Sequence, residues 1–182
     1  DVGSKSGIAN VSFVTPFRLA ELVAADLLLD TAPITNPVLG AAVRQVLADD
    51  PDIYRPVADH QATEAALASL FAELSNVDEA GLESIEDEGS TAAVLSVKFY
   101  RRIAAKLGGF HTEHDLATAA ADRADLGERL RPFGHVIWYL PAPVTSAIGR
   151  CVGEVLRGAA SSSVIVGLTG QDIADKPVLA SM

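Results

Sequence analysis

The residues with the clearest capacity for chemistry are four cations on one predicted helix. Lys98, Arg101, Arg102 and Lys106 are spaced three, one and four apart. That spacing places them on one face of a helix predicted to run from Ser90 or Thr91 to about Leu107. Ammonium and guanidinium groups in such a row suit phosphates or an acidic partner. The row equally suits a solvated helix face, because positive charge near a helix C-terminus is favourable in itself. It is the only concentrated positive patch in the sequence, and it stands as the candidate phosphate or partner contact.

Other groupings point to less. Gly3-Ser4-Lys5-Ser6-Gly7 is close to a phosphate loop but lacks the glycine before the lysine and a preceding strand, so residues 1–7 read as a linker. His111 and His114, flanked by Glu113 and Asp115, bring two imidazoles near a helix start. Zinc takes about four ligands, and no further Cys or His stands at a paired spacing; a capping region is expected instead. His60 and His135 are lone loop or cap residues. No Gly-x-Ser-x-Gly elbow occurs, and no nucleophile has a base beside it in the sequence. Asp49-Asp50 and Glu86-Asp87-Glu88 read as solvated charge. The residues thus nominate no catalytic group, no cofactor ligand and no metal ligand.

The elements that would position these groups follow from periodicity and breakers. Asn10–Val14 alternates and reads as a strand; Thr15-Pro16 then starts an apolar helix with Thr15 as N-cap. Helices are expected over about Pro37–Leu47, Asp59–Leu74 and Glu79–Glu88, then along the cationic stretch, where Leu95, Phe99, Ile103 and Leu107 recur every four residues. Thr112 caps a sixth helix, and a short seventh precedes Pro132. Val136–Leu140 reads as a buried strand, Thr145–Arg157 as a helix, Ala159–Ser163 as a polar connection, Val164–Leu168 as a second buried strand and 171–180 as a weak helix. A strand–helix–strand unit of this kind makes its strands parallel. The expected fold is α/β: a small parallel sheet that includes strand 10–14, built from residues 8–33 and 131–182, with an all-helical insertion over 34–130.

At the end of strand 136–140 an α/β nucleotide enzyme would place an acidic residue that holds magnesium and polarises water. Here the chain reads Trp138-Tyr139-Leu140-Pro141-Ala142-Pro143, and no carboxylate follows until Glu154.

Composition sets the outer bounds. The 182 residues are 49% hydrophobic and 21% charged, a globular balance. A net charge of -10 argues against gripping duplex DNA unaided, although a local basic face remains available. A single cysteine, Cys151, excludes an internal disulfide. No apolar run approaches the roughly 18 residues of a membrane span, and no signal peptide is evident, so a cytoplasmic protein without membrane contact is expected. The first residue is Asp1 rather than Met, which reads as a piece of a longer chain.

Ala9–Leu22, with its Val-Thr-Pro-Phe-Arg-Leu-Ala-Glu-Leu core, resembles the early strand and helix of AddB-type and RecB-family helicase–nuclease subunits. Thr63–Leu67, Phe71–Leu74, Phe99–Ile103 and His114–Leu116 followed by Ala119-Ala120 resemble that family's helical insertion in the same order. Phe133–Thr145 sits where the second ATPase motif would fall, without its acid. The whole is most similar to the actinobacterial branch of the PD-(D/E)XK nuclease family, over nearly all of residues 8–170. The resemblance implies a degenerate P-loop helicase core acting as a catalytically inactive segment of a DNA-repair exonuclease subunit, with the nuclease outside this sequence. It implies DNA and a helicase subunit as partners, together with the rest of the parent chain, and carries over no catalytic or cofactor residue. Two other readings stand beside it: a free-standing interaction module unrelated to DNA, and a small-molecule enzyme working at the strand ends, where convergent polar groups are lacking.

Overall fold

In the computed structural model, residues 10–139, 144–171, 173, 175 and 176 are described. Most of them are helical. Helix α1 (Pro16–Ala24) continues as a 3-10 turn over Ala25–Leu28; α2 covers Asn36–Asp49, α3 Gln61–Leu74, α4 Glu79–Glu88 and α5 Thr91–Lys106. Helices α6 (Glu113–Ala121), α7 (Leu126–Leu130) and α8 (Ser146–Gly158) follow. The strands form two parallel pairs: β1 (Ala32–Pro33) with β2 (Phe110–His111), and β3 (His135–Tyr139) with β4 (Ser161–Ile165).

Local chemistry explains most helix starts. Thr15 Oγ1 accepts from Arg18 N at 3.1 Å, and Pro16 occupies the first turn, where a missing N–H costs nothing. Asp78 and Ser90 cap α4 and α5 in the same way. Thr112 and Asp115 form a reciprocal capping box at α6: Asp115 N donates to Thr112 Oγ1 at 3.0 Å, and Thr112 N donates to Asp115 Oδ2 at 2.8 Å.

The helices bury two apolar clusters. The first joins α1, α6, α7 and α8; Ala20, Ala24, Ala117, Ala120 and Cys151 are wholly buried there, and their small side chains let the helices approach closely. The second joins α2, α3 and α5 around Val43, Val46, Leu67, Phe71, Phe99 and Ile103. On α5 the fully buried apolar residues include Val97, while Leu95 stays half-buried. Helices α6 and α7 come from the block 34–130 in sequence but pack against α1 and α8.

Arg123, between α6 and α7, pins the first cluster. Its side chain is only 6% exposed, donates to Val23 O at 2.7 Å and pairs with Asp26 and Asp125. Arg129 joins the same Asp26 carboxylate.

The strands depart most from expectation. Residues 11–14 belong to neither sheet, and Phe13 is 96% exposed. Alternation favours an extended chain, but a strand also needs a neighbour to accept its ladder, and among the described residues 11–14 have none. The last strand lies at Ser161–Ile165 rather than 164–168, because the register pairs His135 with Ser161 and Tyr139 with Ile165. The supposed polar connection thus supplies half of β4. Neither strand is buried: every β4 residue is exposed, and β3 alternates between exposed and half-buried. Leu140 and most of 171–180 lie outside the described residues. The coarse architecture is a largely helical protein with two small parallel two-stranded sheets, compatible with an α/β fold carrying a large helical part. Among the described residues, no helix is long and apolar enough to cross a membrane.

Candidate functional site

The cationic row on α5 does not stay together in space. Successive residues on a helix point about 100° apart, so Arg101 and Arg102 reach different neighbours. Arg101 turns to α4, with Nη2 2.6 Å from Glu79 Oε1 and 2.9 Å from Glu86 Oε2. Those carboxylates hold its guanidinium still more firmly protonated than usual. Arg102 turns to the C-terminal end of α2, where Nη2 donates to Asp50 O at 2.7 Å and Val46 O at 3.1 Å. Its guanidinium carbon also lies 4.8 Å from the centre of the Phe99 ring. Lys106 Nζ donates to Asp49 Oδ2 at 2.8 Å. Lys98 is exposed and makes no ion pair among the described residues. The single face expected from spacing is therefore divided between α4 and the end of α2, and three of its cations already hold carboxylates of this chain. Those partners, Asp49, Asp50 and Glu86, are the acids the sequence reading assigned to solvent.

The histidines also acquire definite neighbours. His60 Nδ1 accepts from Ala62 N and caps α3, as expected of a cap residue. His111 Nδ1 lies 2.8 Å from Thr31 Oγ1, which ties β2 to the loop before β1. His114 is separate from that contact: its Nδ1 is buried with no hydrogen-bond partner among the described residues. No three His, Cys, Asp or Glu side chains converge as metal ligands among the described residues. Gly3–Gly7 and Leu140–Pro143, the phosphate-loop-like stretch and the end of the central strand, lie outside the described residues.

His135 is not alone. Its Nδ1 is 2.6 Å from Ser161 Oγ and its Nε2 is 3.1 Å from Ser163 Oγ, across the β3–β4 ladder. A neutral imidazole has one donor and one acceptor nitrogen, so one serine donates to the ring and the other accepts from it. Both ring nitrogens being taken by serines, no carboxylate orients the imidazole as a hydrolytic triad requires. The network ties the two strands together at their amino ends. Spacing in sequence could not reveal it, because the serines belong to a strand expected to begin three residues later.

Residues paired directly in a parallel ladder share a face, so His135, Ile137 and Tyr139 stand on one side with Ser161, Ser163 and Ile165. That face turns outward: Ile137 is 55%, Tyr139 66% and Ile165 44% exposed. It is polar at the amino ends of the strands and apolar at their carboxyl ends.

A second surface feature is an open cleft of about 690 Å³ between α4, α5, β2 and the start of α6. Phe71, Leu82, Tyr100, Leu107 and Phe110 form its apolar part. Asp78, Glu79, Arg101, His114 and Asp115 supply its polar groups. Burial, then the charges of Asp115 and Glu79, push the Tyr100 phenol up from its ordinary range. No reading from the sequence joined these residues, which come from five separate elements.

Compared with protein-family models, curated proteins and solved structures, the chain finds no match in any of the three.

Proposed function

We propose that this chain is a catalytically inactive scaffold that works by docking through the β3–β4 sheet, as the helicase-like segment of a DNA-repair exonuclease subunit would. The observation that carries the reading is the outward apolar end of that sheet, at Ile137, Tyr139 and Ile165. Parallel sheets are ordinarily covered on both faces, and a pair of strands is marginal by itself. Each strand is paired on one side only among the described residues, and an unpaired edge is a template for a further strand. The tie to DNA-end processing rests on the sequence resemblance.

The α5 cations favour a protein partner over a phosphate backbone. Arg101, Arg102 and Lys106 would have to leave their own carboxylates to meet DNA, which leaves Lys98 as the readily available contact. The same pairing, with a net charge of -10, also favours the second reading, an interaction module unrelated to DNA.

Two measurements test the proposal. Calorimetry with magnesium and ATP is expected to give no binding; tight nucleotide binding would overturn the inactive-scaffold reading. Fluorescence anisotropy with a blunt-ended duplex is expected to give weak, salt-sensitive binding that falls further in Lys98→Ala. Complete absence of duplex binding at low salt would transfer the reading to the module unrelated to DNA.

A further inference from the structure

The two apolar clusters share no residue, and the chain passes between them twice. Leu28 packs on the first cluster and Ile34 on the second; Phe110 packs on the second and Leu116 belongs to the first. The two crossings run side by side as β1 and β2. The helices around each cluster form a lobe. Helices α1, α6, α7 and α8 make one; α2, α3 and α5, with α4 packed on α5, make the other.

Polar contacts follow the same division. Among the described residues, every ion pair closes within one lobe. The crossings are tied to each other through the backbone, with Ala32 N donating to Gly109 O at 3.1 Å and Ile34 N to His111 O at 3.0 Å. A side-chain contact adds to these: Thr31 Oγ1 lies 2.8 Å from His111 Nδ1. Thr31 Oγ1 also donates to Leu28 O at 3.0 Å. A hydroxyl has one proton, so both contacts are made together when His111 Nδ1–H donates to Thr31 Oγ1.

The backbone at the crossings suits bending. Gly108 and Gly109 stand directly before β2, and a Cβ at either would meet nothing within 4 Å. Pro33 brings no N–H to β1. A pair of two-residue strands is a weak joint. Lobes without a large shared apolar interface move relative to one another by default.

We infer that β1–β2 is a hinge about which the two lobes turn as rigid bodies, with the Thr31–His111 contact as its latch. The 690 Å³ cleft lies across this hinge: Phe71, Leu82 and Tyr100 line it from the second lobe, His114 and Asp115 from the first. Turning the lobes opens or narrows the cleft. Val136 seats the β3–β4 sheet on the first lobe, while Lys98 rides on α5 in the second. The hinge therefore also sets the angle between those two surfaces, and a partner touching both would select one angle.

The test is measurement of amide residual dipolar couplings on the whole protein, fitted separately for the two lobes. Unequal alignment magnitudes are expected. Thr31→Val, which removes the latch, should drive the ratio of the two magnitudes further from unity. Gly108→Ala combined with Gly109→Ala, which stiffens the second crossing without a clash, should bring the ratio back toward unity. The glycine variant also carries the test should Thr31→Val unsettle α1. One alignment shared by both lobes, in the unaltered protein and in Thr31→Val alike, would overturn the proposal. So would unequal magnitudes that neither variant changes, since the bend would then lie outside β1–β2. The couplings need neither nucleotide nor duplex, so failure here is distinct from failure of the scaffold reading.

Discussion

At the scale of the residue, Arg123 has the most consequential contacts. Its hydrogen bonds hold the carboxyls of Asp26 and Asp125 below the ordinary carboxylate range. Groups whose pKa falls on folding lend stability that is fully present above the unfolded value, about 3.9 for aspartate, and is lost as pH falls through the folded value. In Arg123→Met both aspartates should titrate nearer that unfolded value, and stability should become less steep with pH in the acid window. The variant should also melt at a lower temperature at neutral pH. Carboxyl-carbon NMR titration and thermal unfolding would show this. Asp175, lowered by the backbone N–H groups of Thr169 and Gly170, should not move and serves as the internal reference. None of this was legible in the sequence, because Arg123 and Asp26 stand 97 residues apart and neither belongs to a recognisable motif.

At the scale of the element, helices were legible and strands only in part: β3 lies at His135–Tyr139 against an expected 136–140 and pairs in parallel as expected, while strand 10–14 and the bounds of β4 were misplaced. A helix closes its own hydrogen bonds, so Thr15-Pro16, the Thr112 cap and the spacing of Phe99, Ile103 and Leu107 suffice to place three of them. A strand completes its bonding elsewhere: Asn10–Val14 has the right alternation without a neighbour, while Ser161–Ser163 has poor alternation and a neighbour in β3. The candidate site was legible only as a set of charges. Spacing put Lys98, Arg101, Arg102 and Lys106 on α5 correctly but could not say which acids oppose them. Arg102 illustrates the consequence, since it serves as a C-terminal cap for α2 rather than as a surface charge. Arg102→Ala should cost about 1.5–3 kcal/mol, the usual range for hydrogen bonds made by a charged group. Urea unfolding would measure it, and amide exchange at the end of α2 should quicken more than exchange in α8.

At the scale of the whole molecule, the division into two clusters governs behaviour. Cys151 lies wholly inside the first, where burial pushes its thiol up to about 11, so at neutral pH it is protonated as well as shielded. A disulfide reagent should therefore label it only when that cluster opens. The labelling rate should follow unfolding of α1 and α8, and Leu67→Ala in the second cluster should alter it less than Ala120→Gly in the first. The two clusters also differ in the reach of their contacts. The second is closed by residues between Ile34 and Phe110, a contiguous run. The first joins α1 to α6 and α8, with Arg123 grasping Val23 from 100 positions downstream. During synthesis, then, the second cluster can consolidate as it leaves the ribosome, while α1 has no resting place until α6 and α8 have emerged. A chaperone acting on nascent chains would be needed at α1 and not at the second cluster.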